Sequence, residues 1–180
     1  MQKKNICILI AEDEPYTRDV LVHYIPWEQL GISQIWEAGN GQTALDLALQ
    51  HKPDIVLSDI RMPKLNGIEL AKAIRKEDKN CRFIFLSAYT DREYLKSAIQ
   101  IRVVSYVEKP VNIPEIKQAV EVAVAEILAQ REFLEMRRKE EESTSGEYAD
   151  TDELLFVKNL SSESTPCINK AIDRILKNYS

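Results

Sequence analysis

Glycine is scarce in this chain, five in 180 residues. The glycines gather into no phosphate-cradling loop, which argues against a P-loop nucleotide hydrolase. Cysteine is scarcer still: Cys7, Cys81 and Cys167 stand apart with no C-x-x-C pair. An odd, unpatterned set fits a reducing compartment better than a disulfide framework, and Cys7, inside an apolar run, reads as a small buried hydrophobe. The two histidines, His23 and His51, are isolated and offer no metal-ligand spacing. No apolar stretch approaches the roughly 20 residues that span a bilayer. Met1-Gln2-Lys3-Lys4-Asn5 leads into only a short apolar run with no small-residue cleavage site. A cytoplasmic protein with no membrane partner is expected. The net charge of −5 provides no general attraction for nucleic acid.

What is present suits a globular core: 44% hydrophobic and 29% charged residues. Short apolar runs alternate with helical patterns. Ile6–Ile10, Ile32–Ala38, Ile55–Leu57, Phe83–Leu86 and Ser105–Val107 read as five strands. Helices are expected over Pro15–Ile25, around Ala44–Ala48, around Ile68–Ile74, around Leu95–Ile99, and from about Ile113. Continuous rather than alternating apolar strands mean burial on both faces, as in a parallel sheet covered by helices. Pro15 suits a first helical position, and Thr90-Asp91-Arg92-Glu93 has the form of a capping box. Five βα units over residues 4–130 predict a doubly wound α/β domain.

Past that domain the composition changes. Val120, Val124, Ile127, Leu128 and Leu134 are expected to carry the last helix beyond what the sheet covers, and Arg137–Gly146 is polar. Residues 131–150 therefore read as helical extension and linker. Within 151–180, Ile168, Ala171, Ile172, Ile175 and Leu176 share one face of a terminal amphipathic stretch.

Ligands of parallel α/β sheets bind beyond the carboxyl ends of the strands. The first strand ends in Glu12-Asp13-Glu14, the third in Ser58-Asp59, the fourth in Ser87, and the fifth leads to Lys109-Pro110. Taken singly, each has an ordinary explanation: acids favoured by a helix dipole, a serine bonded to nearby backbone, a solvated lysine. Their placement at the same end of successive strands favours a functional site. Clustered carboxylates raise one another's pKa unless a cation lies among them. Hard oxygen ligands in small number suit Mg²⁺, and a metal beside a lysine neutralises phosphoryl oxygens.

Glu12-Asp13-Glu14-Pro15, Pro53–Pro63, Asn66-Gly67, Leu86-Ser87-Ala88 and Tyr106–Pro110 resemble, in order, the landmarks of response-regulator receiver domains over roughly the first 125 residues. The resemblance implies a five-stranded parallel sheet of order 2-1-3-4-5. It implies that Asp59 is the nucleophile that takes a phosphoryl group from a histidine kinase. Glu12, Asp13 and Asp59, with the Arg61 backbone carbonyl, would be the Mg²⁺ ligands. Lys109 would pair with the phosphoryl oxygens and Ser87 would hydrogen-bond them. Tyr106 would turn inward as Ser87 moves, altering the surface of the fourth helix, fifth strand and fifth helix. The protein is then a phosphoacceptor switch, able to lose its own phosphoryl group, rather than an enzyme.

The chain departs from the family pattern in places. Arg102 and Val103 stand where Gly and Ala are usual, so the turn before the fifth strand is expected to be either strained or differently built. Glu12 replaces the commoner Asp, a longer carboxylate suited to reaching metal through water. Arg61 and Tyr89 lie where the family tunes phosphoryl lifetime. Pro26-Trp27-Glu28-Gln29-Leu30-Gly31 resembles receivers joined to AraC-type DNA-binding domains, and Ile168–Ser180 resembles the opening helix of that output. The expectation is a chain cut within its output domain. DNA would be bound only through the missing part, and self-association through the extended helix would be weak at most. A haloacid-dehalogenase-type phosphatase would need a second acid two residues after Asp59, where Arg61 stands. A stand-alone receiver working by protein contact is the third reading.

Overall fold

The structure, a computed structural model, describes residues 5–88 and 103–143. In chain order these form β1 (Ile6–Ala11), α1 (Pro15–His23), β2 (Ile32–Ala38), α2 (Gly41–His51), β3 (Ile55–Asp59), α3 (Gly67–Glu77), β4 (Arg82–Ser87), β5 (Ser105–Glu108) and α4 (Ile113–Ser143). The helical pattern around Leu95–Ile99, the Thr90–Glu93 capping signal, Tyr89, Arg102, Cys167 and the stretch from 144 onward lie outside the described residues.

All four strand pairings are parallel, in the order β2-β1-β3-β4-β5. This is the doubly wound sheet that the continuous apolar strands and the resemblance predicted. Successive side chains point to opposite faces, so each strand feeds two cores. Ile6, Ile8, Ile10, Ile55, Leu57, Ile84 and Leu86 pack with Leu21 of α1 and Ile116, Val120, Ala123 and Ile127 of α4. Leu9, Ala11, Val56, Phe83 and Phe85 pack with Ala44 and Ala48 of α2 and Leu70, Ala71 and Ile74 of α3.

Local signals set the helix starts. α1 opens at Pro15, as expected. Asn40 caps α2 through Thr43 N at 3.0 Å. Asn66 and Glu69 form a capping box at α3, with Glu69 N donating to Asn66 Oδ1 at 2.9 Å and Asn66 N to Glu69 Oε2 at 3.2 Å. The Pro26–Gly31 segment is a compact turn. Trp27 and Leu30 are buried in the first core, and Trp27 Nε1 donates to the Leu21 and Val22 carbonyls, at 3.1 Å each.

The last helix differs from expectation. Val120 and Ile127 are fully committed to the domain core, and of the apolar residues thought to overrun the sheet, Leu128 and Leu134 are exposed. The helix is also tied to the amino-terminal edge of the sheet. Arg82 Nε pairs with Glu126 at 2.8 Å, Arg82 Nη2 donates to Gln130 Oε1 at 2.8 Å, and Arg131 bonds Asp54. Asp54 Oδ2 accepts the Cys7 N–H at 3.0 Å. Cys7 is only half-buried, because it lies at this polar edge rather than mid-sheet. A charged hydrogen bond contributes about 1.5–3 kcal/mol when well buried, and partial exposure of both partners reduces that toward about 1 kcal/mol. Arg131→Ala should therefore lower stability by about 1 kcal/mol. A double-mutant cycle with Asp54→Ala in urea unfolding should recover most of it as coupling; a zero coupling energy would refute the pairing.

The chain divides into two compact units, Met1–Leu134 and Glu135–Ser180. In the second, the described residues are the end of α4. Among the described residues no helix is long and apolar enough to cross a membrane.

Candidate functional site

Strand register brings the candidate residues together. Ala11 pairs with Ser58, so Glu12 and Asp59 each follow by one residue at the same edge. Asp59 pairs with Leu86 and Ser87 with Glu108, which places Ser87 beside the end of β3 and Lys109 just past β5. Backbone bonds carry the sheet into these loops: Glu12 N to Ala38 O at 3.0 Å, Ile60 N to Leu86 O at 3.1 Å, Lys109 N to Ser87 O at 2.7 Å. The Lys109-Pro110 peptide is cis.

Within this edge Asp59 is held from two sides. Its Oδ1 accepts the Arg61 N–H at 3.0 Å, and its Oδ2 accepts from Lys109 Nζ. Lys109 Nζ also lies 2.8 Å from Glu12 Oε2, so one ammonium bridges two carboxylates. Glu12 is fully buried, and its Oε1 accepts the Glu14 N–H at 3.2 Å. The Glu12 Oε2 contact to lysine is close but not aligned as a hydrogen bond, which leaves that buried oxygen without a directed donor. Asp13 is exposed, and carboxylate oxygens of Glu12, Asp13 and Asp59 lie within 4.8 Å of one another. Ser87 Oγ donates to the Ala88 carbonyl at 2.9 Å and is also hydrogen-bonded to the Tyr106 hydroxyl. Tyr106 thus points inward, toward Ser87, in this structure.

Burial raises the pKa of Glu12; the adjacent Lys109 ammonium works against this, and the Asp59 charge adds to it. For Lys109, burial alone would lower the pKa, but the hydrogen bond to Asp59 and the charges of Glu12 and Asp59 prevail and raise it. Lys109 is therefore a firmly protonated ammonium at neutral pH. Three convergent carboxylates, one with a buried oxygen lacking a directed donor, fit a small hard cation. Glu12, Asp13 and Asp59 are the side chains that would hold it.

Two glycines, whose role the motif reading missed, seat the loop that follows β3. A Cβ on Gly67 would lie 2.3 Å from the Asp59 carbonyl oxygen, and one on Gly41 would lie 1.8 Å from that of Leu65. Gly67 N also donates to Ile60 O at 2.9 Å. The starts of α2 and α3 can approach the acceptor loop only because both positions lack side chains. Asn66-Gly67 was visible as a landmark. The Gly41–Leu65 contact, 24 residues apart in sequence, has no local signal.

A parallel α/β domain that gathers three carboxylates, a lysine and a serine where its strands end has the architecture of a signalling receiver. Comparison with known proteins agrees. Residues 8–121 match the family described as the response regulator receiver domain, and the chain belongs to that family. An uncharacterized response regulatory protein of Staphylococcus epidermidis is 37% identical over 121 residues, 67% of this chain and 47% of that protein. The transcriptional regulatory protein HptR of Staphylococcus aureus is 38% identical over 124 residues, 69% of this chain and 48% of HptR. The chain thus spans about half the length of the curated relatives it matches. Among solved structures, a two component transcriptional regulator AraC from Clostridium phytofermentans is similar at 40% identity and TM-score 0.64, over 71% of this chain and 98% of that one. The REC domain of AraT from Geobacillus stearothermophilus is similar at 32% identity and TM-score 0.65, with the same coverages. Receiver domains of response regulators are phosphorylated by histidine kinases and bind Mg²⁺ at an acidic pocket of this kind.

Proposed function

We propose that this chain is the phosphoacceptor half of a two-component response regulator, with Asp59 as the residue phosphorylated by its histidine kinase. The observation that carries the reading is the setting of Asp59: one oxygen on the Arg61 N–H, the other on Lys109, with Glu12 and Asp13 carboxylates alongside. An Asp59 oxygen attacks the phosphorus of a kinase phosphohistidine. The new O–P bond forms as the N–P bond breaks, and the pair of electrons returns to the imidazole. Glu12, Asp13 and Asp59, with the Arg61 carbonyl, would hold Mg²⁺, which when bound would supply charge neutralisation at the phosphoryl oxygens. Lys109 neutralises a further oxygen through its ammonium. Ser87 donates its hydroxyl to the phosphoryl group, giving up its present acceptor, and Tyr106 follows Ser87 through their shared hydrogen bond. The chain acts as a switch in the cytoplasm and not as an enzyme that turns over a substrate.

Incubation with acetyl phosphate and Mg²⁺, followed by borohydride reduction and peptide mass spectrometry, should place all acid-labile phosphate on Asp59. Asp59→Asn should carry none, and undiminished labelling of that variant would refute the assignment.

The output we assign is transcription, through an AraC-type DNA-binding domain. Two structural neighbours carry AraC- or AraT-derived names, and the curated relatives extend well beyond the matched half. Self-association through α4 is weak at most. Of the row Val120, Ile127 and Leu134, two members are buried in the domain's own core, leaving Leu134 as the exposed one. A coiled-coil seam needs about three to four sustained heptads. Sedimentation should report a monomer at micromolar concentration, unaltered by Leu134→Arg; a tight dimer that this substitution abolishes would overturn the expectation.

A further inference from the structure

Arg18, in the opening turn of α1, takes no part in the chemistry above, yet it is bonded directly to the acidic loop. Its Nη1 donates to the Glu12 carbonyl at 2.8 Å, and its Nε lies 3.3 Å from Glu37 Oε2 at the end of β2. The Glu12 N–H, on the other side, donates to Ala38 O at 3.0 Å. Glu12 is therefore pinned through both of its backbone polar groups, one by the sheet and one by a guanidinium. A Cβ on Gly39 would come within 3.2 Å of Arg18 Nη1, so the chain leaves room for the guanidinium at this point. The planar fork of arginine addresses a carbonyl and a carboxylate in two directions at once, which a lysine ammonium cannot reproduce.

We infer that Arg18 is a positioning residue for Mg²⁺ binding: it clamps the Glu12–Asp13 turn to the end of β2 so that both carboxylates face Asp59. The inference rests on the reading of Glu12, Asp13 and Asp59 as the metal ligands. It makes a prediction whose sign separates it from plain electrostatics. A cation this near a metal site repels Mg²⁺, so if charge were its only influence, removing it would tighten binding. If it holds the ligands in place, removing it weakens binding, and groups that orient metal ligands contribute about 10- to 100-fold in affinity.

The test is titration of the full chain with magnesium chloride, followed by amide NMR shifts of residues 12–14 and 59, with no phosphoryl donor present. Arg18→Gln should weaken Mg²⁺ binding by about tenfold, and Arg18→Lys should fall between it and the parent. Glu37→Gln, which keeps the carbonyl bond and leaves Arg18 a neutral acceptor in place of the ion pair, should weaken binding less than Arg18→Gln does. Affinity in folded Arg18→Gln that is unchanged or tighter overturns the inference while leaving the metal site standing. Absence of saturable Mg²⁺ binding in the parent chain instead overturns the reading of the site itself. Should Arg18→Gln not fold, the lysine variant decides: weakened binding at an unchanged thermal midpoint supports the clamp, and parental affinity refutes it.

Discussion

Gly67→Ala should lower stability by about 2–3 kcal/mol, near the upper end for overpacking by a single methyl group, and should sharply reduce Asp59 phosphorylation. The new Cβ would meet the Asp59 carbonyl oxygen at 2.3 Å, with Ile60 Cα and Ser58 Oγ both at 3.1 Å. The nearest of these is backbone, so no rotamer change relieves it. Either α3 is pushed away from the sheet, costing the packing of Ile68, Leu70 and Ala71, or the Asp59 peptide moves. That peptide is already committed, since its carbonyl accepts the Ser58 hydroxyl at 2.8 Å while its side chain is held by Arg61 N and Lys109. Urea unfolding and the initial rate of labelling by acetyl phosphate measure the two effects. Gly39→Ala is the contrast: the three atoms nearest its Cβ would all belong to the end of the Arg18 side chain, the closest at 3.2 Å, and it should cost far less stability. Parental stability and labelling in Gly67→Ala would show that the close approach is not a constraint.

The sheet was legible because its information is local. Runs such as Ile6–Ile10 and Ile55–Leu57 have no polar face to offer water, so both faces had to be covered, and Ile32–Ala38 was bounded correctly at both ends. The end of the domain was less legible, because it depends on what packs against α4 rather than on α4 itself. Val120 and Ile127 looked like the start of an overhanging stripe, but both are buried on the sheet, and Arg82 and Arg131 anchor the helix from residues 44 to 77 positions away. Polar bonds of that sequence separation leave no periodic trace.

The candidate site divides along the same line. Acids, serine and lysine at strand ends could be read from strand assignments alone, since a common register follows from a parallel sheet. What supports them could not. The bond from Arg18 to a carbonyl involves no recognisable pair of side chains, and the approach of Gly41 to Leu65 is a backbone contact between distant loops. The pose of Tyr106 against Ser87 likewise depends on how β5 lies beside β4.

Glu12→Gln should move stability and metal affinity in opposite directions. Burial, reinforced by the Asp59 charge, raises the Glu12 pKa despite the Lys109 contact. A carboxyl that holds its proton more tightly folded than unfolded favours the fold below its unfolded pKa, about 4.3, and loses that advantage as pH rises through the folded value. At neutral pH the ionised Glu12 therefore burdens the metal-free fold. Glutamine keeps the shape and acts as a side chain that is permanently neutral. Its amide oxygen can keep the Glu14 N–H bond, but the ion pair with Lys109 is forfeited, at a cost of about 1 kcal/mol while Lys109 retains Asp59. Removing a fully buried charge relieves a larger penalty, several kcal/mol before pairing is counted. The thermal midpoint in EDTA should rise at neutral pH, and the gain should shrink as the parent protonates under acid conditions. Mg²⁺ affinity should fall by about tenfold or more, since a ligand or its water-mediated anchor is lost. A variant less stable than the parent at neutral pH, or a gain that does not diminish on acidification, would show that the Lys109 pairing outweighs burial at this site.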